Sequence, residues 1–598
     1  MYQMTKKLIF KTIQGVLMCS LLVCTISCTN KNTSCKDLYQ YPSQEKIDRQ
    51  VDSVFSMLTT REKIAQIMVI NFTSWDSLSK KEIQNRLVRD EKIGGVIPLG
   101  HDSLVPAIKR LNQLNGMAQI PMLVSLDAEW GASMRWKDMP EFHYFLQMAA
   151  LADDSLVYEA GKQMAKECRA LKIQVNYTPS VDINNNPDRF CLNFRAFGEQ
   201  AEKVGDYGLA MMRGLRDGGV AGSAKHFPGH GDTDVDSHLA LPLLGFSKER
   251  IDSLELHPFK KLIAGGIDMI MVGHMSIPSL DSTGTPSSIS KPIVTGLLRE
   301  ELGYNGIIIT DALDMHGVSK GSGLEKKQIP LAAFKAGVDI LLMPEDVEES
   351  ITVIEQALAA GEITMEELDT KVKKMLALKS RLGVLDKGYD PIVDIAQLDK
   401  FTNTEQPDKL MTEKMKLIDE ISQKTMTLLK NDNTKGFGIP VSLDGKKVLY
   451  VGYKNPKLGN EFAAIASKHG QMDAIILESD ATVENLKEVK EKAKGYDLVI
   501  FGFNETSHRR GKNFGIIPQE IKFITDWAAQ QPMIAVYLGS PYAVRYMEGH
   551  QNFTAFLLGY THHPSNNRAA AQVVFGEIPA VGVLPSTAGE FPAGYSAK

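Results

Sequence analysis

The residues that could do chemistry are concentrated between positions 225 and 238, which read Lys-His-Phe-Pro-Gly-His-Gly-Asp-Thr-Asp-Val-Asp-Ser-His. Two glycines and a proline exclude a regular helix here, so a single loop holds one lysine, three histidines and three carboxylates. Asp236 stands two residues before His238, close enough for its carboxylate to hydrogen-bond the imidazole. Such a contact raises the pKa of a histidine and suits it to proton transfer near neutral pH.

A second candidate, Asp311, follows the apolar run Ile307–Thr310, where a carboxylate has little structural reason to lie. A carboxylate nucleophile about 5 Å from a proton donor is the arrangement used for glycoside hydrolysis with retention of configuration. Asp311 suits the nucleophile and His238 the donor. The alternative is that Asp311 caps a helix beginning at Ala312.

The histidine-rich segment also has two other interpretations. Its three aspartates could form a solvated acidic turn. His226, His230 and His238 could instead supply metal ligands, although Lys225 beside His226 would repel a cation. We therefore predict no metal here, and glycoside hydrolysis through a carboxylate nucleophile also uses no organic cofactor.

Hydroxyl recognition is the chemistry expected of the charged residues around this segment. Lys225 and His226 are good donors to sugar hydroxyls, and Asp127 is a good acceptor. A lysine at the end of an apolar run is seldom buried without a partner, so Lys225 is a functional candidate. Position alone does not separate Arg135 and Arg195 from ordinary surface arginines.

The elements that must position these residues are short apolar runs alternating with segments of helical period, a pattern typical of parallel strands and crossover helices. Eight runs predict a TIM-type (β/α)8 barrel, in which the chemistry lies at the carboxyl ends of the strands. The predicted strands are Ala65–Phe72, Gly94–Gly100, Pro121–Asp127, Gln174–Asp182, Val220–Phe227, Asp268–His274, Gly306–Asp311 and Val338–Met343.

The second half of the 598-residue chain predicts a smaller α/β sandwich domain. We place the barrel at residues 45–385, a linker with a helix over Lys409–Leu429 at 386–430, and the sandwich at 431–598. Its predicted strands are Lys447–Gly452, Asp473–Glu478, Leu498–Phe503, Met533–Leu538 and Ala555–Gly559. The basic loop His508–Lys512 could face solvent or reach the active site.

The first 27 residues predict a secretory signal, because lysines precede an apolar run from Ile13 to Ile26 that is too short to span a membrane. Ser27 before Cys28 resembles a bacterial lipoprotein signal, with Cys28 as the lipidated residue, and a plainly cleaved signal or an uncleaved anchor is the alternative. The net charge of −5 and the absence of a basic patch argue against a nucleic-acid partner.

Several motifs together carry a resemblance to a known family. They are Asp127-Ala-Glu-Trp-Gly-Ala-Ser-Met-Arg135, Phe194-Arg-Ala-Phe-Gly198, the histidine-rich loop Lys225 to His238, and Ile309-Thr-Asp-Ala-Leu-Asp-Met315. In this order they resemble the β-N-acetylglucosaminidases of glycoside hydrolase family 3, in the two-domain bacterial type. The histidine loop separates that branch from the β-glucosidases of the same family, whose acid is a glutamate in the second domain.

The resemblance implies a role for each candidate. Asp311 matches the nucleophile that forms a covalent glycosyl-enzyme, His238 the acid/base, and Asp236 its dyad partner. The residues that match those gripping the terminal N-acetylglucosamine are Asp127, Arg135, Arg195, Lys225 and His226. The family often has Gly-Gly-Arg-Val after the acidic residue, where this chain has Trp130 to Ser133, a departure that concerns the shape of the rim.

The sequence therefore predicts a retaining exo-β-N-acetylglucosaminidase outside the cytoplasm, anchored to a membrane by lipid and acting on peptidoglycan-derived or related glycans. A histidine acid/base carries less negative charge than a carboxylate and would let phosphate approach, so a glycoside phosphorylase is the first alternative. A glycan-binding lipoprotein without catalytic activity is the second.

Overall fold

The computed structural model describes residues 38–186, 192–233, 240–434 and 436–597. Contacts between residues group Tyr41–Lys598 into one compact unit. Three predicted site residues, Cys28, Asp236 and His238, lie outside the described residues. The domain boundaries at residues 385 and 430 stay a prediction.

Eight parallel strands form the first sheet, in the order β7-β6-β5-β4-β3-β2-β1-β8. Bonds from Ile340 N to Ile308 O (3.1 Å) and from Thr310 N to Ile340 O (3.2 Å) join β7 to the residue before β8, so the sheet is nearly closed. The predicted barrel is therefore confirmed. Its strands are β1 Met68–Phe72, β2 Gly95–Pro98, β3 Leu123–Leu126, β4 Val175–Asn176, β5 Ala221–Phe227, β6 Met269–Val272, β7 Ile307–Thr310 and β8 Leu341–Leu342.

Alternation along the strands divides their side chains between two apolar layers. In β6, Met269 and Met271 fill the barrel interior, whereas Ile270 and Val272 pack under the outer helices. The helices that cover the barrel bury one apolar face each. They are Gln44–Phe55, Thr60–Gln66, Leu78–Arg89, Leu104–Met117, Phe145–Met148, Ser155–Ala170, Ala201–Asp217, Lys248–Ser253, His257–Ala264, the π-helix Pro292–Glu301, His316–Ser322, Ile329–Ala336, Val347–Ala359 and Met365–Arg381.

A second sheet of six strands has the order β11-β10-β12-β13-β14-β9, with β9 antiparallel to β14 and the other pairs parallel. Its strands are β9 Thr427–Asn431, β10 Val448–Tyr453, β11 Asp473–Ile476, β12 Leu498–Phe503, β13 Met533–Tyr537 and β14 Ala555–Leu558. The helices beside it are Lys409–Thr425, Pro456–Ala466, Val483–Ala493, Pro518–Ala528 and Pro564–Val574.

Strand β9 corrects one predicted element. The helix predicted over Lys409–Leu429 ends at Thr425, and the chain then pairs with β14, where Leu428 lies opposite Leu557. The helical spacing of apolar residues continues past the end of the helix into β9. Pairing with the partner strand, and not the local sequence pattern, therefore decides where the helix ends. No helix among the described residues is long and apolar enough to cross a membrane.

Candidate active site

The carboxyl ends of four barrel strands bring the candidate residues to one rim. Asp127 follows β3, and Lys225 and His226 lie near the end of β5. His274 and Asp311 follow β6 and β7. The pairing of β5 with β6 shifts register between Ala224 and Phe227, so the strand is irregular where it carries its two functional side chains.

Asp127 forms ion pairs with two cations. One carboxylate oxygen, Oδ1, accepts a hydrogen bond from Lys225 Nζ at 2.8 Å, and Oδ2 accepts one from Arg135 Nη2 at 2.6 Å. Arg135 reaches this position from the end of the short 3-10 helix Ala132–Met134. Gly131 before it has φ +83°, a left-handed conformation that favours glycine.

Glu129 continues the network inward. It is 1% exposed, and it accepts hydrogen bonds from Arg195 Nε at 2.9 Å and Nη2 at 2.7 Å. Lys225 Nζ lies 2.9 Å from Glu129 Oε1 as well as bonding Asp127, so this lysine, 2% exposed, bridges two carboxylates. Paired charges of this kind are what permits ionised groups in an interior.

The network fixes the charge states of its members. Burial by itself would raise the pKa of Asp127, but Lys225 and Arg135 hold it well below its usual value. Burial would likewise raise the pKa of Glu129, but Arg195 and Lys225 lower it to about 2. Both carboxylates are therefore ionised at neutral pH, and Asp127, the more exposed of the two, can accept hydrogen bonds from hydroxyl groups.

A second buried carboxylate, Asp182, holds His226. Asp182 accepts from the backbone N–H of His226 at 3.1 Å and of His230 at 2.7 Å, and its Oδ2 lies 2.7 Å from His226 Nδ1. Burial tends to raise the pKa of Asp182, but His226 and His230 lower it far below its usual value. Because an ionised carboxylate only accepts, Nδ1 of His226 carries the proton and Nε2 is left for other contacts.

Asp311 lies partly buried at the end of β7, and its Oδ1 accepts from the Ala312 N–H at 2.8 Å. Burial raises its pKa, but His226, His274, the Ala312 N–H and Lys225 together lower it. An ionised carboxylate in this position can act as a nucleophile. The first helix after it is His316–Ser322, so the alternative that Asp311 caps a helix beginning at Ala312 is wrong.

His274 fixes the loop beside Asp311. It is fully buried, its Nε2 donates to the Ala312 carbonyl at 2.9 Å, and its Nδ1 lies 2.7 Å from Ser288 Oγ. On the other side of the site, the amide of Asn176 bonds both the N–H and the carbonyl of Ala128, at 3.0 and 3.1 Å. These contacts hold the loops that present Asp311 and Asp127.

The structure thus brings together six of the predicted residues, namely Asp127, Arg135, Arg195, Lys225, His226 and Asp311. The predicted acid/base His238 and its partner Asp236 lie outside the described residues. Within the described ranges no group of three or more His, Cys, Asp or Glu side chains is arranged to hold a metal ion. His230 Nδ1 contacts Thr233 Oγ1 within the loop.

Sequence reasoning assigned no role to Glu129, Asp182 or Asn176. Asp182 stands at the end of the predicted strand Gln174–Asp182, the same signal that identified Asp127 and Asp311, and that signal could have found it. Glu129 lies inside a quoted motif, but only the fold shows that its carboxylate meets Arg195, 66 residues away. Asn176 carries no comparable signal, because an asparagine in a strand is not specific.

Comparisons with known proteins agree with this architecture. "Beta-hexosaminidase A" of Pseudoalteromonas piscicida is 30% identical over 371 residues, covering 54% of this chain and 62% of its own length. "Beta-N-acetylglucosaminidase/beta-glucosidase" of Cellulomonas fimi is 31% identical over 333 residues, covering 54% and 58%. The chain therefore spans about three fifths of the length of these two curated relatives.

The same likeness extends to solved structures. A glycoside hydrolase family 3 β-N-acetylglucosaminidase from Paenibacillus sp. superimposes with a TM-score of 0.71 at 29% identity, covering 89% of this chain and 99% of its own. The family model for the glycosyl hydrolase family 3 N terminal domain matches residues 59–378, which is more than half of the chain. With barrel, rim and sequence in agreement, the chain belongs to glycosyl hydrolase family 3.

Proposed function

We propose that the protein is a retaining exo-β-N-acetylglucosaminidase that releases terminal N-acetylglucosamine from peptidoglycan-derived or related glycans. The observation that carries the proposal is the position of Asp311, a carboxylate at the carboxyl end of β7 and at the same rim as Lys225 and His226. The names of the relatives support the sugar, since they act on hexosaminides by their printed descriptions.

The network around Lys225 supports recognition of one terminal sugar. Two ionised carboxylates and the cations Lys225, Arg135 and Arg195 converge there, so hydroxyl and acetamido groups meet both donors and acceptors. A sugar held by such an array has its anomeric carbon fixed relative to Asp311, and this positioning accelerates the reaction.

The proposed reaction has two steps. Asp311 attacks the anomeric carbon while His238, oriented by Asp236, protonates the departing glycosidic oxygen, and a covalent glycosyl-enzyme forms. His238 then takes a proton from water, whose oxygen attacks the same carbon while its bond to Asp311 breaks and the carboxylate is released, so that the sugar leaves with its original configuration.

The test is release of 4-nitrophenol from its N-acetyl-β-D-glucosaminide and its β-D-glucoside. We expect turnover of the N-acetyl sugar, and loss of that turnover by at least about a thousandfold in Asp311→Ala, because the covalent route is removed. Asp314→Ala is the matched control, since Asp314 is an exposed carboxylate three residues along the same loop.

Three results would contradict the proposal. Substantial activity in Asp311→Ala would show that Asp311 is not the nucleophile. Absence of turnover of both substrates by folded wild-type protein would show that the protein lacks the proposed activity. Sugar 1-phosphate as the main product in phosphate buffer would identify a phosphorylase.

We also propose that Cys28 is lipidated and that the protein is anchored outside the cytoplasm. The support is the signal-like N-terminus alone. Cys24, near the end of the apolar run, is the other candidate cysteine. Labelled fatty acid should be incorporated into the wild-type protein and into Cys24→Ala but not into Cys28→Ala, and incorporation into Cys28→Ala would refute the assignment.

A further inference from the structure

Arg195 lies on a segment of the barrel, residues 193–199, that contains one short 3-10 turn, Asn193–Arg195, and no strand or longer helix. Strand pairing and helical hydrogen bonds therefore do not fix the position of this segment. Its position depends on contacts with neighbouring elements, and several of these belong to the second domain, which is built on the six-stranded sheet.

The side chain before Arg195 packs against the second domain. The ring of Phe194 lies 5.5 Å from the ring of His508, which is in the loop after β12. His508 also lies 4.8 Å from Tyr144, and Tyr144 lies 4.5 Å from Phe194. Trp130 joins these rings at 5.9 Å from Phe194. We call these four residues the interdomain aromatic cluster.

The interdomain aromatic cluster contains a neighbour of each partner in one ion pair. Glu129 accepts hydrogen bonds from Arg195 Nε at 2.9 Å and Nη2 at 2.7 Å. Trp130 follows Glu129 in the chain, and Phe194 precedes Arg195. Two parallel hydrogen bonds require the guanidinium and the carboxylate to keep one relative orientation. A displacement of Phe194 would therefore weaken the pair.

The other end of residues 193–199 also contacts the second domain. Glu199 Oε1 accepts a hydrogen bond from Thr587 Oγ1 at 2.7 Å, and its Oε2 accepts one from Thr587 N at 3.0 Å. Gly198 approaches the chain so closely that a Cβ there would lie 2.2 Å from the Pro585 carbonyl oxygen. The second domain thus holds the segment that carries Arg195 on both sides of this residue.

The loop that presents His508 has a defined conformation. Phe514 is fully buried in it, Ser507 N donates to Phe514 O at 3.1 Å, and Phe514 N donates to Arg509 O at 3.1 Å. Burial, with a smaller contribution from His562, lowers the pKa of His508 to about 3. The imidazole is therefore neutral at neutral pH and packs as an aromatic ring.

We propose that His508 is a positioning residue: through Phe194 it holds Arg195 in the orientation that binds Glu129 and the terminal sugar. The second domain thereby completes a sugar site that is built on barrel residues. This inference rests on the proposed function, because the part that Arg195 plays in sugar binding belongs to that proposal.

The experiment measures kcat and KM on 4-nitrophenyl N-acetyl-β-D-glucosaminide, a substrate without a second sugar unit, so that contacts with a longer glycan play no part. We expect kcat/KM to fall by about three- to tenfold in His508→Ala, the size of the loss of two aromatic contacts. His508→Phe should retain most of the wild-type value, because it keeps a neutral aromatic ring at the same place.

A double-mutant cycle separates positioning from general loss of stability. In an Arg195→Ala background, His508→Ala should change kcat/KM by less than about twofold, because the residue through which it acts is already absent. The control is His550→Ala. His550 is a buried histidine of the second domain that lies 6.2 Å from Phe556 and 5.8 Å from Phe591, and its replacement should leave kcat/KM at the wild-type value.

Four results would overturn the inference. They are wild-type kcat/KM in His508→Ala, an equal loss in His508→Phe, an equal loss in His550→Ala, and the same effect of His508→Ala with and without Arg195. Absence of turnover by the folded wild-type protein would instead overturn the proposed function.

Discussion

Replacement of Asp182 by asparagine tests how the rim is assembled. Asp182 is fully buried and accepts from two backbone N–H groups, from His226 Nδ1 and from Ser180 Oγ at 3.1 Å. Asparagine has nearly the same shape, but it keeps a single acceptor oxygen and turns an NH2 group toward these donors. At least one buried N–H loses its partner, and His226 loses the carboxylate that holds it.

The magnitude follows from these contacts. A hydrogen bond to a charged group contributes about 1.5–3 kcal/mol, and an unpaired buried donor costs about 1–3 kcal/mol, so the free energy of unfolding should fall by about 3 kcal/mol or more. If losing the bond to His226 raises the activation free energy of the reaction by about 1.5–3 kcal/mol, kcat/KM should fall by about ten- to a hundredfold. Urea unfolding and hydrolysis of the 4-nitrophenyl N-acetylglucosaminide measure the two effects.

The control is Asp339→Asn, at the opposite end of the barrel. Asp339 is 4% exposed, bonds Ile308 N at 2.8 Å and pairs with Arg299 and Lys374. It should lose comparable stability while kcat/KM stays within about twofold of wild type. The reasoning is refuted if Asp182→Asn keeps wild-type kcat/KM, or if both variants lose activity equally.

Two further predictions concern the ion network. Lys225→Met should lower kcat/KM by at least about a hundredfold, because it leaves the buried carboxylate of Glu129 and the partly buried carboxylate of Asp127 without their shared cation. Kinetics unchanged from wild type would contradict this. Because the pKa of Glu129 is depressed, its contribution to stability is present above about pH 4.5 and lost as the pH falls toward about 2. Urea midpoints measured across this range should fall with pH, less steeply in Glu129→Gln, and equal slopes would show that Glu129 does not carry the effect.

The sequence by itself determined the barrel and much of its rim. Strands β1 to β8 are short apolar runs separated by helical segments. They can be recognised from the local sequence because the folded protein buries each run. Asp127, Lys225 and Asp311 could be placed at one rim because the carboxyl ends of parallel strands always meet there. The specific histidine loop indicated the family, which the match over residues 59–378 confirmed.

Only the tertiary structure decided which charges meet. Glu129 pairs with Arg195 and Lys225 across long stretches of chain, and Asp182 holds His226 through 44 residues of separation. Spacing along a sequence carries no information about such contacts, because the strands and loops between them can be of any length. Residues 427–429, predicted as the end of a helix, belong to strand β9 because they pair with β14, and His508 packs against Tyr144. Pairing and packing are properties of the folded chain.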